Sequence, residues 1–338
     1  MGEFEHLVPA GGLRRFLDER FGAAEAAPEV SRLGEGHSNL TFLVSRGADE
    51  WVLRRPPRGD ILPGTHEMHR EFAVMKALAD PGLAVPVPRV TELCEDGSYL
   101  GSPFYLMERV DGIVVRGPIP APFDVPGHRR AVGFELLDKL ADIHAVDWRA
   151  VGLAGLARDP ERFLVRNIRR MQELYDAVRH REVAEVDEAG EWLRDHAPEQ
   201  AGVALTHGDY KLDNVMLAPD LPPRIAAVVD WEVATIGDPL VDLGWLLYFS
   251  PDGDDPGGYP TRAELAHRYA EGTGRSIDDV RFYTAMAGWK IAIIMEGSNF
   301  RYKQGMADDA MFSALDAAVP ALAARSLAVI RGEIPVGG

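Results

Sequence analysis

One cysteine, Cys94, occurs in 338 residues, which excludes an internal disulfide and any zinc site built from several thiolates. With no His or Asn motif beside it, that thiol reads as packing rather than as a nucleophile. Basic residues are fewer than acidic ones, 36 Lys and Arg against 53 Asp and Glu, and the formal net charge of −17 repels polyanions. Nucleic acid is therefore not an expected partner. No run of eighteen apolar residues is present, and the opening MGEFEHLVPAGG lacks the basic flank and apolar stretch of a secretion signal. The expectation is a soluble, cytoplasmic chain with no membrane partner, its oligomeric state left open. There is no GxxxxGK[ST] phosphate loop, no internal repeat and no low-complexity tract.

Against these absences stands a clear change of period along the chain. Leu13, Phe16, Leu17 and Phe21 fall on one face of a first helix. Val30–Leu33, Leu40–Ser45 and Trp51–Arg54 are short, β-branched or aromatic, and separated by glycine-bearing turns, so they predict antiparallel strands. A helix over Thr65–Ala79 follows, with Met68, Phe72, Met75 and Leu78 as its stripe. Two more strands, Arg89–Cys94 and Phe104–Val110, are joined through a turn at Asp96 and Gly97. Beyond Asp111 the pattern is mainly helical: Arg129–Ala145, Pro160–Val178, Val183–Asp195, Pro239–Phe249, Thr261–Ala270, Ile277–Phe300 and Asp308–Ile330. Short strands at Val203–Thr206, Val215–Leu217 and Ile225–Val229 interrupt it. This order predicts an α+β, two-lobed chain: a β-rich lobe over 1–110 with one internal helix, and a helical lobe over 111–338 that carries the polar loops.

The densest polar cluster is HGDYKLDN, His207 to Asn214, between the apolar segments VALT and VML. By itself such a loop is also what an Asx-rich turn looks like. Phosphoryl transfer needs a carboxylate to orient the attacking hydroxyl and accept its proton, with an oxygen ligand for Mg²⁺ close by. Asp209 and Asn214 can supply the two. Downstream, RIAAVVDWE puts Asp230 at the end of a buried strand, suited to a hard cation, although a strand-ending Asp also opens turns. LGEGHSNLTFLV offers a glycine turn, Gly34 and Gly36 with Ser38, followed by a strand rather than the helix a dinucleotide fold would open. That fits a hairpin over phosphates or an ordinary hairpin. In WVLRR, strand alternation sends Arg54 and Arg55 to opposite faces, so one of them must face inward. Glu71 falls between Met68 and Phe72 on the buried stripe, where an unpaired carboxylate is costly. An Arg54–Glu71 pair resolves both; a solvated Glu71, or an acid elsewhere for Arg54, are the open alternatives.

Taken in order, these segments resemble the protein-kinase-like fold, in its aminoglycoside phosphotransferase and choline kinase branch. GEGHSNLTFLV, REFAVMKAL, FYLMERVDG and DWEVATIGDPLVDLGWL are most similar to the kinase-like domain fused to acyl-CoA dehydrogenases and to its stand-alone bacterial relatives. The resemblance, which runs over nearly the whole chain, implies an ATP- and Mg²⁺-dependent phosphotransferase acting on a hydroxyl of a small molecule. It implies Asp209 as catalytic base with Lys211 beside the transferred group, and Asn214 and Asp230 as Mg²⁺ ligands. Gly34, Gly36, Ser38, Arg54 and Glu71 would hold the nucleotide phosphates, the backbone of Glu108 and Val110 the adenine edge. Asp242 would brace the catalytic loop, while Asp238 and Pro239 read as a helix cap followed by Pro at the first position. Arg54 replaces the usual Lys, Asn39 a third glycine, and Gly208 the Arg that would receive an activation phosphate. For the acceptor, the resemblance implies a hydroxyacyl thioester or related hydroxy acid ahead of an aminoglycoside, with choline third. A non-catalytic nucleotide-binding module is the alternative from another class. The basic residues Lys290, Arg301 and Lys303 of WKIAIIMEGSNFRYKQG are expected to lie mostly on a solvated face, the alternative being that they meet an anionic acyl carrier or acid.

Overall fold

The computed structural model describes residues 4–34, 39–57, 68–251, 253, 257–305 and 310–337. In chain order they form α1 (Ala10–Phe21), β1 (Glu29–Arg32), β2 (Leu40–Arg46), β3 (Asp49–Arg55), α2 (Met68–Leu78), β4 (Val90–Cys94), α3 (Gly97–Leu100) and β5 (Phe104–Met107). Then come β6 (Ile113–Val114), α4 (Pro126–Ala145), α5 (Phe163–Val178), α6 (Ala184–Asp195), β7 (Ala204–Thr206), β8 (Val215–Leu217), β9 (Ile225–Val228) and β10 (Thr235–Gly237). Four helices close the chain: α7 (Leu240–Phe249), α8 (Arg262–Thr273), α9 (Val280–Lys303) and α10 (Leu315–Ile330). They divide into two compact units, neither a single stretch of sequence. The first unit takes Met1–Ile113, Val215–Pro219 and Ala226–Ala234; the second takes Val114–Asn214, Asp220–Ile225 and Thr235–Gly338.

In the first unit an antiparallel sheet of order β1-β2-β3-β5-β4 is set by alternation. Leu40, Phe42, Val44 and Arg46 of β2 are buried while the residues between them are half-buried. The apolar members pack with Leu13, Phe16 and Leu17 of α1, all inaccessible to solvent. Each such side chain contributes about 1.5–3 kcal/mol by leaving water. The other face is covered by α2, which brings Glu71, Val74 and Met75 inward. Because both faces are covered, the expectation of one inward arginine in β3 is too narrow. Arg55 is buried on the α1 side and donates to the carbonyls of Leu7, Leu100 and Pro56. Arg54 is largely covered on the α2 side. Strand β5 stops at Met107, short of the expected Val110, and the expected turn at Gly97 is a one-turn helix capped by Asp96, whose carboxylate accepts from Ser98 N. Of the predicted Thr65–Ala79 helix, residues 65–67 lie outside the described residues.

The second unit is built on α9, whose 24 residues pack against α5, α6, α7 and α10. Residues Leu240 to Tyr248 of α7 are all buried, so this helix shows no polar stripe. Its approach to α9 is close: a Cβ at Gly244 would lie 2.8 Å from Thr284 N and nearer still to the Tyr283 carbonyl. Glycine is required there to let the two backbones meet. Asp238 stands one residue before the cap position Pro239, where its side chain still accepts from Leu240 N at 3.0 Å, from Ala201 N at 3.1 Å and from Tyr283 OH at 2.6 Å. Helix α8 opens with a capping box of Thr261 and Glu264 and ends at Gly274 in the left-handed region, φ 68°. The predicted Asp308–Ile330 helix is α10 preceded by a 3₁₀ turn over Ala310–Ala314, with residues 308 and 309 outside the described set. Among the described residues one stretch, Phe312–Ile330, is long and apolar enough to cross a membrane by length and composition alone; α10 within it packs against α6 and α9 through Leu315, Val319, Ala323 and Leu327.

Candidate active site

The HGDYKLDN segment leaves β7, which pairs antiparallel with β10, and runs through a one-turn 3₁₀ helix at Leu212–Asn214 into β8. Gly208 takes φ 86°, a left-handed conformation at which a Cβ would be strained. One carboxylate fixes the turn. Asp242, fully buried in the first turn of α7, accepts from His207 N at 2.6 Å and Gly208 N at 2.8 Å, and contacts His144 Nε2 at 3.3 Å. Burial on its own would raise the Asp242 carboxyl, but hydrogen bonding and charge from His144, with His207 and Gly208 N, outweigh it and hold the group below the usual carboxylate range. His144 is itself set by Tyr269 OH at 2.6 Å from Nδ1. Tyr210 turns into the core, where its hydroxyl donates to the Leu136 carbonyl at 2.7 Å.

Asp209 points the other way, with a partly exposed carboxylate. Its Oδ2 accepts from Asn214 Nδ2 at 2.7 Å, and its Oδ1 lies 3.1 Å from Lys211 Nζ. Asn214 Nδ2 also donates to the Asp209 carbonyl at 2.8 Å. With its NH₂ committed to Asp209, the Asn214 side-chain carbonyl accepts no hydrogen bond among the described residues, which suits a hard cation. Lys211 lies between Asp209 and Asp213, 3.6 Å away; burial works to lower its pKa, and the two carboxylates raise it on balance. The structure thus brings Asp209, Lys211 and Asn214 into one loop.

Arg54, Glu71 and Asp230 meet in the first unit. Arg54 Nε is 2.9 Å from Glu71 Oε2, an ion pair whose alignment is poor for a hydrogen bond, and Arg54 Nη2 pairs with Asp230 Oδ1. Asp230 has φ 69°, an unusual conformation for a non-glycine residue that turns its carboxylate out of the strand end. Burial pushes Glu71 up to about 7, with Arg54 opposing and Asp230 and Glu232 reinforcing the rise. Burial disfavours the Arg54 charge too, but Glu71, Tyr105, Asp230 and Glu232 raise its pKa on balance. Glu232 accepts from Asn39 Nδ2 at 2.7 Å, tying the end of the glycine turn to the Asp230 segment. Neither Glu232 nor His144 is an expected site residue; His144 follows Leu140 by four on the buried stripe of α4, and a histidine there was the available signal.

Gly34 lies in the left-handed region at φ 72°, whereas Gly36 and Ser38 fall outside the described residues. After β5, Glu108 N donates to the Arg89 carbonyl, while Glu108 Oε1 accepts from Arg89 N. That leaves the Glu108 carbonyl and Val110 N–H without partners among the described residues. Among those residues no three His, Cys, Asp or Glu side chains gather as a metal cluster.

A cavity of about 490 Å³ in the second unit opens beside Lys211, Leu212 and Asp213. Its apolar wall includes Val115, Ile119, Leu136, Leu246, Phe249 and Tyr259. Its charged lining residues are Arg116, Arg129 and Lys211 against Asp124 and Asp213, and Arg129 is spent on Asp124 and the Gly257 carbonyl. On α9, Arg301 and Lys303 are exposed as expected of most of its basic residues, while Lys290 is half-buried, with its ammonium 5.1 Å from the centre of the Trp245 ring.

A strand-built unit carrying an Arg–Glu pair, and a helical unit carrying an Asp–Lys–Asn loop, are the parts of a protein-kinase-like phosphotransferase. The sequence model of the phosphotransferase enzyme family matches residues 29–285. Acyl-CoA dehydrogenase family member 10 of Mus musculus is 34% identical over 318 residues, covering 90% of this chain and 29% of that protein. Acyl-CoA dehydrogenase family member 11 of Homo sapiens is 32% identical over 319 residues, covering 89% and 40%. This chain therefore spans well under half the length of those relatives. Among solved structures, an aminoglycoside phosphotransferase candidate from Ralstonia eutropha superposes with a TM-score of 0.81 at 30% identity, covering 96% of this chain and 98% of that one. A macrolide 2'-phosphotransferase type I shares the fold at TM-score 0.64 and 20% identity, over 91% and 96% of the two chains. The chain belongs to the phosphotransferase enzyme family.

Proposed function

We propose that this chain transfers the γ-phosphoryl group of ATP to a hydroxyl of a small, partly apolar acceptor, a hydroxyacyl thioester or related hydroxy acid. The observation that carries the acceptor class is the cavity beside Lys211. Its wall is largely apolar, and its charged residues pair off, Arg129 with Asp124 and Lys211 with Asp209 and Asp213, leaving no surplus of carboxylates, which favours an acyl chain over a polycationic aminoglycoside or choline.

In this reading Asp209 orients the attacking hydroxyl and accepts its proton, held in place by Asn214 Nδ2 and flanked by Lys211. Lys211 offers positive charge to the group in transfer. Arg54 meets the nucleotide phosphates, with Glu71 fixing its side chain, and Gly34, Gly36 and Ser38 supply the turn that covers them. The Glu108 carbonyl and Val110 N–H face the adenine edge. The Asn214 carbonyl oxygen and the Asp230 carboxylate are each assigned to Mg²⁺, which when bound neutralises charge on the phosphates. Asp242, through the two backbone amides it receives, holds the loop in shape without touching the reactants.

The test is an ATP-coupled turnover screen with hydroxyacyl-CoA thioesters, free hydroxy acids, kanamycin-type aminoglycosides and choline. Turnover is expected for the acyl compounds. Equal or better turnover of kanamycin-type compounds would transfer the assignment to an antibiotic kinase, and Mg·ATP binding without turnover of any acceptor would make the chain a binding module.

A further inference from the structure

Several cations of the second unit have no carboxylate partner among the described residues; most of them are exposed, whereas Lys290 is half-buried. Lys290 lies on α9 and makes no hydrogen bond or ion pair among the described residues. The two carboxylates that act on it from a distance are Asp242 and Asp209. Asp242 is already engaged by His207 N, Gly208 N and His144, and Asp209 by Asn214 and Lys211. A second cation, Arg170 on the neighbouring helix α5, repels Lys290. It is exposed and likewise without a described partner. Among the described residues neither Lys290 nor Arg170 has an ion-pair partner, so an anion brought to the half-buried Lys290 is favoured.

The surroundings of Lys290 lead back to the catalytic loop. Its ammonium sits 5.1 Å from the centre of the Trp245 ring, that ring lies 5.1 Å from Phe249, and Lys211 Nζ lies 5.6 Å from the Phe249 centre. The aromatic ledge of α7 therefore has a cation at each end, one ion-paired to Asp209 and one unmatched. Trp245 is 4% exposed, and its indole N–H is buried without a hydrogen-bond partner among the described residues. Most buried donors are hydrogen-bonded, so this N–H is available to an acceptor brought to it.

We infer that Lys290, supported by Arg170 and the Trp245 N–H, is an anion subsite that receives a carboxylate or phosphate of the acceptor while the acceptor's hydroxyl lies at Asp209. The inference deepens the proposed phosphotransfer and rests on it for the position of the hydroxyl, but it is testable by binding alone. It makes Lys290 a specificity-determining residue that selects anionic hydroxy compounds and repels aminoglycosides.

The probes are 4-hydroxypentanoate, its uncharged isostere 4-hydroxypentanamide, and 4-hydroxypentanoyl-CoA, titrated calorimetrically against the whole chain with AMP-PNP and Mg²⁺ so that no turnover occurs. The wild type should bind an anion more tightly than the amide. Lys290→Met should weaken the anion by about ten- to a hundredfold, the range of one charge-assisted hydrogen bond, and leave the amide nearly unchanged. Lys290→Arg should restore most of the preference. Arg170→Ala, an exposed change with little bearing on folding, should weaken the anion several-fold. Tight binding of the free acid places the carboxylate in the subsite, and tight binding of the thioester alone places a phosphate of CoA there. Absence of an anion preference in the wild type, or an undiminished preference in Lys290→Met, overturns the inference. Failure of the phosphotransfer reading would show instead as lost turnover with these binding ratios intact.

Discussion

Replacing Asp242 by Asn tests how the catalytic loop is held. The carboxylate accepts from Gly208 N through Oδ1 and from His207 N through Oδ2, with His144 Nε2 also at Oδ2. An asparagine has the same shape but a single acceptor oxygen. Its better orientation keeps that oxygen toward His207 and His144, and its NH₂ then faces the Gly208 N–H, donor against donor. One hydrogen bond to a charged group is lost and a buried donor is left unpaired, a cost of about 2–4 kcal/mol. Denaturant unfolding of wild type and Asp242→Asn, with kcat/KM measured alongside, gives the two readouts; stability should fall by that amount and activity should fall with it. The pH dependence has a defined sign. Because the native Asp242 carboxyl lies below its ordinary value of 3.8, its stabilisation is present above that value and is lost as pH falls through the native pKa. Asp242→Asn should lack that part of the acid limb. A variant within 0.5 kcal/mol of wild type, on the scale of a neutral surface substitution of about that size, and fully active, would refute this account of the loop.

Glu71 carries the opposite sign. Its native pKa of about 7 exceeds its ordinary 4.5, so the folded chain holds a proton there that the unfolded chain releases. Stability from this group is complete below pH 4.5 and is lost as pH rises to 7, with a slope of at most about 1.4 kcal/mol per pH unit. Glu71→Gln should flatten the wild-type slope in that window, and identical slopes in chemical denaturation would count against the burial argument. Gly244→Ala should destabilise by about 1–3 kcal/mol, because the added methyl meets the Tyr283–Thr284 backbone rather than a side chain that can yield; an unchanged denaturation midpoint would mean that α7 and α9 can separate freely.

Alternation made β2 legible, the apolar run Trp51–Leu53 made β3 so, and the apolar run of Ile225–Val228 located Asp230 at a strand end. The polar HGDYKLDN loop was equally plain between its two apolar segments. What escaped depends on which surfaces meet. Arg55 is buried because the segment before α1 and the end of α3 bring the Leu7 and Leu100 carbonyls to it from 48 and 45 residues away, a match invisible to local pattern. The Asp242 network joins α4, α7 and the loop through side chains whose sequence neighbours show no polar theme. The half-burial of Lys290 is not legible because α9 is covered on most sides, so its few polar residues do not form a stripe that separates solvent from core. Strand β10 is three residues long and has no alternation to show.

The central claim is that Asp209 takes the proton of the acceptor hydroxyl during transfer from ATP. Asp209→Ala, checked for an unchanged circular dichroism spectrum, should lose about 10²–10⁴-fold in ATP-dependent turnover of whichever hydroxy compound the wild type phosphorylates. A folded Asp209→Ala chain that kept full turnover on that compound would contradict the account.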